Sequence, residues 1–108
     1  MSPASANRRL LSPAEIDDAL KTLPRWTLAG GKLHRTYRFR DFKQAFAWMT
    51  MAALAAEKAD HHPDWSNSYK DVTVDLVTHD AGGITPKDVE LARDFEDLAE
   101  PLLGPQHP

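Results

Sequence analysis

The stretch Phe42 to His79, FKQAFAWMTMAALAAEKADHHPDWSNSYKDVTVDLVTH, holds a helical pattern, an abrupt break and a strand pattern, and it decides the fold. In its first part Phe42, Phe46, Met49, Ala53 and Ala56 recur at spacings of four and three, the period of a helix, and Asp41 stands where a cap belongs. A second apolar set, Trp48, Met51, Ala52 and Ala55, lies beside that stripe. A helix apolar on two faces must bury both, and in a short chain the second face is expected to meet another subunit. After His61-His62-Pro63 the pattern changes. Trp65 to Tyr69 reads as a short strand, and VTVDLVTH alternates, with Val72, Val74, Leu76 and Thr78 on one side and Thr73, Asp75, Val77 and His79 on the other.

Outward from this stretch, DAGGIT reads as a loop. Thr85 caps a last helix with Pro86 at its first position, and Leu91, Phe95, Leu98 and Leu102 form its stripe until Pro101 and Gly104 close it. Upstream, RWTLAGGKLHRTYRF gives two extended runs around Gly30-Gly31, with Leu33, Tyr37 and Phe39 on one face and His34, Thr36 and Arg38 on the other. Before it, Ser12, Pro13 and Glu15 form a capping-box pattern; Ile16, Ala19, Leu20 and Leu23 follow on one stripe, and Pro24 ends it. The order α-β-β-α-β-β-α predicts an α+β two-layer sandwich, a four-stranded antiparallel sheet with three helices packed on one face. One domain over residues 10–103 is expected, between a disordered tail at 1–9 and a short tail at 104–108.

Bulk composition narrows the function. The 108 residues, 42% hydrophobic, suffice for one core. A net charge of -3, with Lys and Arg spread along the chain, argues against a nucleic-acid binder that neutralises phosphates. The absence of cysteine removes disulfides, thiolate metal sites and thiol nucleophiles. No stretch approaches the roughly 20 apolar residues of a membrane span, so a cytoplasmic protein without membrane partners is expected.

Of the polar residues, His61 and His62 are the most pointed. Adjacent side chains diverge, on a helix by about 100 degrees, and the four-residue spacing of helical metal pairs is absent. No metal site is expected. Two imidazoles at a helix end suit proton donation and acceptance near neutral pH; the alternative is a pair of surface histidines favoured by the helix dipole. Glu57 precedes His61 by four residues and, on a continuing helix, would reach it. His79 is placed at a strand end beside Gly82-Gly83. Asp88 completes a capping-box pattern with Thr85, which accounts for it structurally, and a substrate-facing role stands beside that. With no G-x-S-x-G elbow and no phosphate-binding glycine loop, proton transfer is the chemistry the inventory permits.

Taken together, Glu57, His61-His62-Pro63, Tyr69, His79 and Asp88, at these spacings, resemble the signature of the pterin-4a-carbinolamine dehydratases. The resemblance continues through YRFRDFKQAFAWMT, AEKADHHPDWSNSY, VTVDLVTHDAGGIT and DVELA, about Leu10 to Leu98. It implies a hydro-lyase that takes water from 4a-hydroxytetrahydropterin to give quinonoid dihydropterin, in tetrahydrobiopterin recycling, without metal or organic cofactor. It implies His61, His62 and His79 as catalytic residues, and Glu57, Pro63, Thr78, Asp80, Ala81 and Asp88 as residues around the substrate. It further implies a homodimer or homotetramer, acting alongside an aromatic amino acid hydroxylase. Because the family includes dimerisation partners of an animal transcription factor, a binding role is the rival expectation.

Overall fold

The structure is a computed structural model and describes residues 8–104. Its elements are α1 (Pro13–Lys21), β1 (Thr27–Ala29), β2 (Lys32–Arg38), α2 (Phe42–Ala59), β3 (Asp64–Ser68), β4 (Asp71–Leu76), a 3-10 turn (His79–Ala81) and α3 (Pro86–Leu103). The strands form one antiparallel sheet in the order β1-β2-β4-β3. The expected α+β architecture and element order are therefore present.

Local chemistry explains most of the boundaries. Ser12 accepts from the Glu15 N–H while the Glu15 carboxylate accepts from the Ser12 N–H, so α1 opens on a complete capping box. Gly30 and Gly31 carry φ of 60° and 77° between the paired Ala29 and Lys32, the two-residue turn that matches strand twist and that glycine alone enters without strain. Helix α3 runs through Pro101 to Leu103 instead of stopping there, and Gly104 caps it. The expected tail at 1–9 falls largely outside the described residues; of the two inside, Arg9 grips both Glu15 oxygens at 3.1 and 2.9 Å.

The sheet buries one face. Leu33 and Tyr37 of β2 and Val72, Val74 and Leu76 of β4 are wholly buried, whereas Thr36 and Arg38 face outward. The alternation of two did its work, with one addition: Arg35 shares the inward face and is buried. Its guanidinium pairs with Glu96 of α3, whose Oε1 also accepts from Trp26 Nε1 at 2.7 Å and Tyr37 Oη at 2.8 Å. Burial and this carboxylate push the Tyr37 hydroxyl far above its ordinary pKa, so it stays a donor.

Helix α2 corrects the sequence expectation about its faces. Ala45, Trp48, Ala52 and Ala56 are the residues buried against the sheet and α3, while Phe42, Phe46 and Ala53 are exposed. Trp48 is decisive: its ring packs 4.4 Å from that of Tyr37, and its Nε1–H donates to the Phe95 carbonyl at 3.1 Å. A tryptophan with a donor to satisfy takes the face that offers both rings and a carbonyl, and the small alanines on either side let α2 lie close. The apolar side left to solvent carries Phe42, Phe46 and Leu54, with Met51 at its far margin. Trp48 and Ala52 are therefore not available to another subunit.

Candidate active site

The histidine pair does not extend α2. The helix ends at Ala59 because Asp60 turns left-handed (φ 51°), its N–H returning to the Ala56 and Glu57 carbonyls and the His61 N–H to Ala56 at 3.0 Å. This closure sends His61 and His62 in different directions and gives them different partners.

His61 points inward and is buried. Its Nε2 lies 2.5 Å from Oδ1 of Asp88, which is fully buried at the start of α3. The second oxygen, Oδ2, accepts from the Thr85 N–H at 2.9 Å and the Thr78 hydroxyl at 2.8 Å. The Thr78 and Thr85 hydroxyls are themselves 2.7 Å apart. The capping box foreseen at Thr85 and Asp88 is thus real, and one carboxylate joins α3, the end of α2 and the segment after β4. A buried carboxylate needs several donors to hold its charge, and this one has them.

His62 points outward, and its Nε2 meets Glu57 Oε1 at 2.9 Å. Glu57 reaches His62 rather than His61 because the helix has already ended. Both side chains are exposed, at 60% and 78%.

His79 is not on a strand. β4 stops at Leu76, the Thr78↔Gly83 bridge pinches the loop, and His79 opens the 3-10 turn, closed by Gly82 at φ 80°. Its Nε2 lies 3.3 Å from Asp64 Oδ2, with the ring 71% exposed. Asp64 begins β3 directly after Pro63 and also receives Lys32 Nζ at 3.2 Å. Lys32 first, and His79 with it, hold the Asp64 carboxyl below the usual carboxylate range.

All three imidazoles accordingly present Nε2 to a carboxylate: His61 to Asp88, His62 to Glu57 and His79 to Asp64. A carboxylate only accepts, so in the hydrogen bonds of His61 and His62 Nε2 carries the hydrogen and Nδ1 is the nitrogen left for other work, while His79 stands beside Asp64 at ion-pair distance. The three pairs meet where α2 ends, β3 begins and β4 has just ended. Pro63 is half-buried and bridges His62 to Asp64. Asp80 is exposed, 3.5 Å from Arg8, and Ala81 is half-buried. Thr78 has its hydroxyl on Asp88 and its backbone in the loop, its N–H bonding Gly83 and its carbonyl taking the Ala81 and Gly82 N–H groups.

Asp64, Lys32 and Thr85 were not singled out in the sequence. Thr85 was seen only as a cap; Asp64 and Lys32 become site neighbours through strand register, which single residues do not announce. Among the described residues, no three His, Asp or Glu side chains come together so as to hold a metal ion, and no helix is long and apolar enough to cross a membrane. The groove of about 480 Å³ between α2 and α3, walled by Ala55, Lys58, Ala59, Asp94, Asp97 and Leu98, lies apart from the histidines.

Comparison with known proteins gives a consistent match. The family described as pterin 4 alpha carbinolamine dehydratase matches residues 9–98. A Solibacter usitatus protein named, provisionally, as a pterin-4-alpha-carbinolamine dehydratase is 55% identical over 89 residues, which cover 82% of this chain and 94% of that one. One from Afipia carboxidovorans with the same provisional name is 56% identical over 92 residues, 83% of this chain and 92% of its own. A Brucella melitensis crystal structure described as a transcriptional coactivator/pterin dehydratase superposes with a TM-score of 0.80 at 41% identity, covering 83% of this chain and 98% of that one. The class these matches define is the hydro-lyases, enzymes that remove water. Within it, the chain belongs to the pterin-4a-carbinolamine dehydratase family.

Proposed function

We propose that this chain dehydrates 4a-hydroxytetrahydrobiopterin to quinonoid dihydropterin, with His62 and His79 exchanging the protons, in the recycling of tetrahydrobiopterin. The observation that supports it best is the pair of exposed imidazoles, each backed by a carboxylate, at one end of the sheet. In the reaction the C4a–O bond breaks, the oxygen leaves as water after gaining a proton, a ring N–H gives up its proton, and a C=N bond forms. One donor and one acceptor beside a flat heterocycle suffice. A histidinium Nδ1–H can give the first proton and a neutral Nδ1 can take the second, while the carboxylates on Nε2 steady either charge state.

His61 takes a different part in this scheme. Its ring is buried and bound to Asp88, so it fixes the backbone that carries His62 and offers only Nδ1 to the site. Asp88 and Thr78 act through it as positioning residues, whereas Glu57, Pro63, Asp80 and Ala81 surround the substrate. No step calls for a cofactor. The enzyme is proposed to work as a homo-oligomer, dimer or tetramer, in the cytoplasm beside an aromatic amino acid hydroxylase, joined through the exposed apolar side of α2.

The test follows freshly generated 4a-hydroxytetrahydrobiopterin by absorbance. The protein should speed its decay above the buffer rate, and His62→Ala and His79→Ala should each lower kcat by about a hundredfold. Decay at the buffer rate would sink the proposal.

A further inference from the structure

His79 has a weakness that the buried His61 lacks. His61 is packed in against Asp88, whereas His79, exposed like His62, stands 71% exposed on a three-residue turn. A ring that free samples several rotamers, and proton transfer demands one.

What faces it is a carboxylate set on the sheet. Asp64 is the first residue of β3 and is registered opposite Asp75 of β4, which in turn is registered opposite His34 of β2. His34 Nδ1 lies 2.8 Å from Asp75 Oδ1, so this neighbouring carboxylate is already engaged. Lys32 crosses from β2 to Asp64 Oδ2, the same oxygen that His79 Nε2 approaches. Lys32 of β2 and His79 of the 3-10 turn thus converge on one carboxylate oxygen of β3. Lys32 keeps that carboxyl ionised to lower pH than an ordinary aspartate.

We propose that Asp64 is the positioning residue of His79, and that Lys32 anchors Asp64 for that purpose. This rests on the reading of His79 as a proton-transfer group. Asp64 draws Nε2 to the sheet edge and thereby leaves Nδ1 for the proton transfer. It touches no substrate itself.

The experiment is a kinetic cycle on the full chain: Asp64→Asn, which keeps the shape of the side chain and removes its charge, His79→Ala, and the double variant, with Asp64→Glu and Lys32→Met beside them. Asp64→Asn should lower kcat about tenfold with KM within twofold, since a displaced catalytic group loses rate rather than binding. Asp64→Glu should regain part of that loss, and Lys32→Met should show a smaller loss of the same kind. Because Asp64 acts through His79, the double variant should be no slower than His79→Ala alone. If His79→Ala is slow but Asp64→Asn is as fast as the unaltered enzyme, the positioning role is overturned and the proposed function stands. If the two losses multiply, Asp64 works independently of His79 and the inference is equally overturned. A His79→Ala enzyme at full rate would instead remove the proton-transfer reading of His79, and this role with it.

Discussion

Asp88 shows how much one side chain can be asked to hold. Its two oxygens take the His61 ring, the Thr78 hydroxyl and the Thr85 N–H, all in the protein interior. Asp88→Ala leaves three buried polar groups without this partner, and urea unfolding should show a loss of about 3 kcal/mol. Its sequence pattern announced the cap but not the imidazole, which comes from 27 residues away. Glu15 is the opposite case, legible and local. Arg9 and the Ser12 N–H hold its carboxyl at about 2, against an ordinary 4.5. The folded pKa lies below the unfolded one, so the stabilisation is complete above about 4.5 and fades as pH falls toward 2. In Arg9→Ala the Glu15 carboxyl, followed by carbon NMR, should titrate closer to 4.5.

Among the elements, α2 separates what periodicity can and cannot say. The helix, its Asp41 cap and its two apolar sides are all visible in the spacing of residues, and the structure has them. Which side faces inward was read wrongly. Phe42 and Phe46 look like core residues by size, yet their rings pack mainly on each other at 5.6 Å on the outer side. The inner side went to alanines and one tryptophan because α3 lies close by. For the proposed assembly, this moves the contact to Phe46 and Leu54, which are 55% and 69% exposed. Light scattering should find the unaltered chain oligomeric at micromolar concentration, and Phe46→Glu with Leu54→Glu should make it monomeric without unfolding it. A stable monomer before substitution would refute the assembly.

For the whole molecule, the Arg35–Glu96 pair does outside the site what Asp88 does within it. One Glu96 oxygen joins α3 to β2 and to the segment after α1, through Arg35, Tyr37 and Trp26. Glu96→Ala deprives a buried guanidinium of its carboxylate, and unfolding should become easier by about 3 kcal/mol, with kcat of the folded enzyme unchanged. The alternation in LHRTYRF was read for Leu33, Tyr37 and Phe39 alone; the structure adds Arg35 to that face, and a buried cation requires an anion, here Glu96. By itself the sequence determined the helices and strands, their order, the glycine turn and the capping boxes, because each rests on residues within a few positions of one another, and it carried the histidines with their family spacing from Glu57 to Asp88. Only the tertiary structure decided which face of α2 goes inside, that Glu57 serves His62, that Asp88 holds His61 and that Asp64 meets His79. Those pairings depend on where a helix stops and how strands register, and both are set by packing across the whole core.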